Sequence, residues 1–438
     1  MKTVRAALRE DFINPIRDAL WGHVYLTPAL AALTESPPFM RLHRIMQLGP
    51  AFHVYPGATH TRASHSIGVY HLTRRLLIHL AGQGAEEWLS PEGVFSFLCA
   101  ALLHDLGHFP YTHSLKELSL EKHETLTARI ILSEPVKSLA AAAGADPALS
   151  AAIVDKNLPG GGRELLFYRK LLSGCLDPDK LDYLNRDAQY CGVPYGAQDV
   201  DFILSRLHPH AERGVDIDSR GIPSVESILF SKYLMYRAVY WHHSVRSATA
   251  MIKKALLGGL EAGLIAGEEL YDLDDQGLFL LAENRAALSA GKGPGKTVFP
   301  LVQAVRDGRL FALAAEFPFD EKSHGPLLDI RGRSRLEESL AGELSAALGK
   351  SVSGRELVID VPEPVSFESG LFVADEGRPF AGSSSAFKPE LVEAFVKSLR
   401  IVRIFIDPIH ELGVRLPGEG QINGQEILNI TKKWIHLL

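Results

Sequence analysis

The sequence predicts a mainly α protein, with a helical core over residues 1–290 and a smaller α+β subdomain over 291–438 packed on it. Two patterns predict this. Through most of residues 28–265 apolar side chains recur at helical spacing, as in Ile67, Leu72, Leu76, Leu77 and Leu80. The run from Gly93 to Leu103 is almost wholly apolar but too short to cross a membrane, so it reads as a buried helix. After Gly325 the pattern changes: Pro326–Ile330 reads as a strand, Arg335–Leu348 as a helix, and Glu356–Val361 and Ile401–Ile406 as two further strands. A Gly- and Lys-rich stretch at 291–297 supplies the linker.

Taken in order, the helical part has a helix starting near His65, the buried Gly93–Leu103 run and a helix over Glu121–Leu132. A polar break follows at Pro159–Gly162, then a hairpin-like stretch around Gly214–Pro223. The serine-rich Ala381–Ala386 reads as a mobile loop. A chain of 438 residues with 46% hydrophobic and 22% charged residues can bury a large core, which excludes disorder as the default. No apolar run reaches membrane-spanning length and the first residues lack an apolar signal region, so a cytoplasmic location without membrane attachment is expected. The net charge of −6 gives no general basic field, and composition does not predict nucleic-acid binding. Cys99, Cys175 and Cys191 form no C-x-x-C pair and read as packing residues rather than a disulfide or cysteine–metal framework.

The chemistry concentrates in His104-Asp105-Leu106-Gly107-His108-Phe109-Pro110-Tyr111-Thr112-His113. The apolar lead-in delivers His104 and Asp105 into the interior, where imidazole and carboxylate are costly to bury unless something binds them. A divalent cation would satisfy both. Upstream, His65 sits near a helix start. Downstream, Leu176-Asp177-Pro178-Asp179-Lys180-Leu181-Asp182-Tyr183-Leu184-Asn185-Arg186-Asp187 supplies further carboxylates at 179, 182 and 187.

The order His, His-Asp, Asp resembles the HD phosphohydrolase superfamily. That resemblance implies an HD-domain helical core in which His65, His104, Asp105 and Asp179 hold a divalent metal. Mixed imidazole and carboxylate ligation suits Fe, Mn, Zn, Co or Ni, with Mg accompanying substrate phosphates. The motifs Trp21–Pro28, Pro38–Leu42, Gln47-Leu48-Gly49 and Tyr55–Ala58 leading into Arg62 and His65 extend the likeness. Together they resemble the deoxynucleoside triphosphate triphosphohydrolases, closest to the SAM and HD domain-containing type without its SAM domain. Implied by this resemblance are hydrolysis of a dNTP to deoxynucleoside and inorganic triphosphate, and a homo-oligomer. It also assigns His108, His113, His123 and Glu124 to catalysis, with His113 as the acid for the departing 5′-oxygen. Arg62, Lys180 and Lys232 fall at phosphate-binding positions, Tyr183 and Tyr240 in the sugar pocket, and Gln47 and Asp187 at the ribose 3′-hydroxyl.

Other readings remain open on sequence alone. The same metal ligands serve phosphohydrolases of other nucleotides or phosphoesters, and a nucleotide-sensing or nucleic-acid-binding HD protein could retain the pocket. Residues 290–297, Ala-Gly-Lys-Gly-Pro-Gly-Lys-Thr, fit a relaxed Walker A pattern. A working P-loop needs a strand before it, whereas Glu283–Ser289 reads as helix, so a solvated basic loop is expected instead.

Overall fold

The computed structural model describes residues 3–289, 299–348, 351–367, 370–408 and 429. The linker stretch and the Walker-like stretch fall on residues 290–298, outside the described residues. A helix, Asp275–Ser289, precedes that stretch, and another, Pro300–Arg306, follows.

The fold is mainly α, and its centre is a packed set of helices. Arg62–Gly82 starts where the Thr61 hydroxyl accepts the Ser64 N–H, satisfying a free donor of the first turn. Pro91–Leu103 is capped by Ser90 and has Pro at its first position, where no N–H is required. Val94, Phe97, Leu98, Cys99, Leu102 and Leu103 are all fully buried, at about 1.5–3 kcal/mol for each large side chain. This helix packs on Arg62–Gly82 and ends at His104. Pro178–Cys191 repeats the cap, with the Asp177 carboxylate accepting the Lys180 N–H, and it stops at Gly192, whose φ of +67° is the left-handed turn that terminates helices.

Among the described residues, three small sheets flank the helices. Asn14–Asp18 and Gly22–Leu26 form an antiparallel hairpin that the sequence patterning did not indicate. Leu207–His210 and Gly214–Ile217 form a second hairpin, so the turn expected at Gly214–Pro223 lies earlier, and residues 219–235 are helical instead. This hairpin is extended in parallel by Phe372–Val373, with Ile217 opposite Val373. The third sheet has the order Ala312–Pro318, Ile401–Ile406, Leu357–Asp360, all antiparallel. Helix Ile330–Leu348 packs against its Leu357–Asp360 strand.

Two expectations fail in this region. Pro326–Ile330 is not a strand: Gly325–Leu328 is a 3-10 turn running into the next helix, because Pro326 has no N–H for a ladder and Leu327 anchors the turn in the core. The serine-rich segment is not a loose loop either. Ser383 and Ser385 are buried, and the Ser385 hydroxyl and the Ala386 N–H both donate to Glu226. Polar composition suggested solvent, but those hydroxyls are satisfied inside.

Candidate metal centre and substrate pocket

The helix ends bring three of the expected metal ligands together. His65, on the first turn of Arg62–Gly82, His104, at the end of Pro91–Leu103, and Asp179, on the first turn of Pro178–Cys191, each offer one ligand atom within 4.8 Å of the others. His65 Nε2 is 2.9 Å from Asp179 Oδ1, and His104 Nε2 is 3.8 Å from that same oxygen. Asp105 stands alongside: its Oδ1 is 3.3 Å from His104 Nε2, while its Oδ2 accepts a hydrogen bond from Arg62 at 2.9 Å.

The donor chemistry fits a divalent ion. His104 Nδ1 donates to the Ala101 carbonyl at 2.9 Å, so the ring presents Nε2 as an acceptor. That atom is buried, without a hydrogen-bond partner, and faces two carboxylates. An acceptor turned toward anions is what a cation between them would reconcile. His65 is oriented from behind by Asp182, whose Oδ2 accepts from Nδ1 at 2.8 Å. Burial lowers the His65 pKa, but hydrogen bonds to Asp179 and Asp182 outweigh it and carry the pKa up to about 10. Without metal, the ring is therefore an imidazolium bridging two carboxylates.

Asp182 itself is fixed by Trp21 Nε1 at 2.5 Å and by Arg186 Nε and an outer guanidinium nitrogen at 2.8 and 2.9 Å. Arg186 is fully buried and also reaches Asp18 at 2.9 Å. The bracing carboxylate is thus tied to the turn of the N-terminal hairpin. Gly68 has no room for a side chain, since a Cβ would collide with the Asp182 carboxylate and Arg186.

A histidine wall adjoins the centre. His108 Nε2 and His113 Nε2 are 3.1 Å apart, and the His108 and His123 ring centroids are 4.0 Å apart. His123 opens helix His123–Ile131, with Glu124 3.4 Å from its Nδ1. Gly107 allows this approach, because a Cβ there would strike the backbone of His123 and Thr127. Burial, reinforced by neighbouring cations, holds His108 and His113 well below the usual imidazole range and lowers His123 to about 4. Asp105 goes the other way: burial opposes its charge, but His108, His104 and Arg62 outweigh that and keep it ionised. Of these three, Arg62 alone carries a charge independent of pH.

A second cluster lies along the same helix. Asp179, Tyr183 and Asp187 are spaced i, i+4, i+8, so they line one face of Pro178–Cys191. Asp187 Oδ2 accepts from the Tyr240 hydroxyl at 2.6 Å and its Oδ1 lies 2.8 Å from His60 Nε2. The Tyr183 and Tyr240 rings meet edge to face at 6.5 Å. Tyr240 is delivered by a π-helical turn, Tyr236–Tyr240, that continues helix Ile222–Met235. Gln47 donates its backbone N–H to the His60 carbonyl at 3.0 Å and keeps its side-chain oxygen buried without a partner. Lys180 is turned back onto Asp177 and Gly174, at 2.5 and 3.0 Å. Lys232 donates to the Ser366 carbonyl at 2.5 Å and lies 5.2 Å over the Phe367 ring.

His60, Asp182 and Arg41 carry structural work that the motif did not assign to them. Buried Arg41 donates to the carbonyls of Leu106, His108 and Leu273, at 2.6, 2.8 and 2.9 Å, and so braces the loop between Asp105 and the histidine wall.

Comparison with known proteins agrees with this geometry. An HD domain matches residues 62–153 and an HD associated region matches residues 199–375. The chain is 38% identical over 220 residues to uncharacterized protein YwfO of Bacillus subtilis, covering 50% of this chain and 49% of that one. It is 26% identical over 279 residues to the deoxynucleoside triphosphate triphosphohydrolase SAMHD1 of Homo sapiens, covering 56% and 45%. The chain thus spans about half the length of the curated relatives it matches. In fold it is similar to a phosphohydrolase from Bacteroides thetaiotaomicron, with a TM-score of 0.68 at 23% identity over 90% of this chain and 99% of that one. The chain thus carries an HD domain followed by an HD associated region.

Proposed function

We propose that the protein is a metal-dependent dNTP triphosphohydrolase, hydrolysing a deoxynucleoside triphosphate to deoxynucleoside and inorganic triphosphate. The observation that carries this reading is the shared face of Pro178–Cys191, which joins the metal centre at Asp179 to the Tyr183–Asp187–Tyr240 cluster in a single line. The likeness to SAMHD1 supports the same reading.

His65, His104 and Asp179, with Asp105 beside them, would hold the divalent ion. When bound, that ion supplies Lewis acidity toward a phosphoryl oxygen and acidifies water. Asp182 fixes the tautomer of His65 by taking its Nδ1 proton in a hydrogen bond, leaving Nε2 for the ion. Arg62 keeps Asp105 ionised and offsets the charge of the triphosphate, and Lys180 and Lys232 would add to it only by turning from Asp177 and Ser366, the partners they hold in the free protein. Asp187 and Gln47 bond the 3′-hydroxyl, and Tyr183 and Tyr240 close the space at the 2′-carbon. His113 delivers a proton to the departing 5′-oxygen. Burial keeps this imidazole neutral in the free protein, and the arriving phosphates reverse that bias because a nearby anion favours the imidazolium. His108, His123 and Glu124 complete the wall that relays this proton.

Incubating metal-replete protein with each dNTP and NTP and separating the products tests the proposal. Deoxynucleoside plus triphosphate from dNTPs alone is the expected outcome. Monophosphate or diphosphate products would leave the broader reading, an HD phosphohydrolase of another nucleotide or phosphoester, to which the Bacteroides likeness in fold also corresponds.

A further inference from the structure

His60, just ahead of helix Arg62–Gly82, is a buried imidazole that the proposed chemistry does not use. Its Nε2 lies 2.8 Å from Asp187 Oδ1, and because a carboxylate oxygen only accepts, Nε2 is the donor. The other nitrogen, Nδ1, is buried without a hydrogen-bond partner, so among the described residues Asp187 is what the ring's polar edge serves. Leaving Nδ1 unpaired in the interior is a cost that an apolar ring filling the same space would avoid. Tyr190, on the same helix as Asp187, lies against the imidazole with ring centroids 4.6 Å apart. Gly57 permits that approach, because a Cβ there would strike the Tyr190 carbonyl.

The main chain of the same residue reaches a second group. The His60 carbonyl accepts the Gln47 N–H at 3.0 Å, Met46 and Thr61 pair as an antiparallel bridge, and the Arg62 N–H donates to the Ile45 carbonyl at 3.0 Å. Gln47 is thereby zipped to residues 60–62, while its side-chain oxygen stays buried without a partner. One residue thus holds Gln47 by its backbone and Asp187 by its side chain, though the two are far apart in the sequence. The Tyr240 hydroxyl takes the other Asp187 oxygen at 2.6 Å, so the carboxylate is held from both sides and its remaining lone pairs keep one direction. We infer that His60 is the positioning residue for recognition of the substrate's 3′-hydroxyl, setting the spacing and aim of Gln47 and Asp187. This rests on the proposed dNTP reading, and it places the sugar selectivity of that reading on a residue that does not touch the sugar.

The test compares His60→Gln with His60→Asn by kcat/KM for dATP and for dideoxy-ATP, which differ only at the 3′-hydroxyl. Both variants carry the same amide, but the glutamine nitrogen reaches the place of Nε2 whereas the asparagine nitrogen stops near that of Nδ1. His60→Gln should keep a preference for dATP close to that of the unaltered protein. His60→Asn should lower that preference by about 10–100-fold, the worth of a hydrogen bond to a charged group, through kcat/KM for dATP and with metal content unchanged. An equal preference in the two variants, or an equal loss of kcat/KM for both substrates in His60→Asn, would overturn the inference while leaving the sugar pocket in place. Equal kcat/KM for dATP and dideoxy-ATP in the unaltered protein would remove the pocket itself, and the inference with it.

Discussion

Replacing Asp182 separates what it does for the metal from what it does for the fold. Its carboxylate accepts from His65 Nδ1 at 2.8 Å, Trp21 Nε1 at 2.5 Å and two Arg186 nitrogens at 2.8 and 2.9 Å, and it is fully buried. Asp182→Ala leaves the indole and imidazole N–H groups unpaired and Arg186 with Asp18 alone. Breaking a buried pair in this way costs about 3–5 kcal/mol. Asp182→Asn keeps the shape and most hydrogen bonds but removes the charge that fixes the His65 tautomer, so affinity for a divalent ion should fall about 10–100-fold. Calorimetric titration of Mn²⁺ into chelator-stripped protein reads the second effect, and urea unfolding reads the first. If Asp182→Asn bound Mn²⁺ as tightly as the unaltered protein, Asp182 would have no part in orienting a ligand. If Asp182→Ala lost less than about 1 kcal/mol, the network would not be the buried ion pair described.

His113→Ala should lower kcat by about two to four orders of magnitude with metal content unchanged, measured by steady-state turnover and elemental analysis; near-normal turnover would move the acid to His108 or His123. Tyr240→Ala should admit ribonucleotides while Gln47→Ala weakens the 3′-hydroxyl requirement, read from kcat/KM for dATP, ATP and dideoxy-ATP, and equal values for the three in the unaltered protein would remove the sugar pocket. His65 has its pKa raised to about 10 in the metal-free fold against 6.5 unfolded. Its stabilisation is therefore complete below pH 6.5 and declines as pH rises toward about 10. Urea midpoints of chelated protein across that range should fall, and binding a divalent ion at pH 7 should release a proton, seen as a buffer-dependent heat; no release would contradict His65 as a ligand.

Part of the ligand constellation was legible from local chemistry: an apolar helix ending in His-Asp, and an Asp-Pro cap opening a helix with carboxylates, are signals contained within a few residues. The resemblance named the four ligands, and the structure brings His65, His104 and Asp179 within 4.8 Å of one another with Asp105 beside His104. The supports were not legible, because their partners are remote in sequence. His60 meets Asp187, Trp21 meets Asp182 and Arg41 meets Leu273 only after the helices pack. Nor does a short polar hairpin such as Asn14–Leu26 announce itself by alternation, since its burial is partial and uneven. Pro326–Ile330 misled for the opposite reason: its apolar run is the length of a strand, but proline and a buried Leu327 favour a turn.

The central claim is attack at the α-phosphorus of a deoxynucleotide, and the site of oxygen incorporation tests it most directly. Hydrolysis of dGTP in heavy-oxygen water, followed by mass spectrometry of the products, should place one heavy oxygen in inorganic triphosphate and none in deoxyguanosine. Label in a nucleoside monophosphate, or in phosphate released with dGDP, would contradict it.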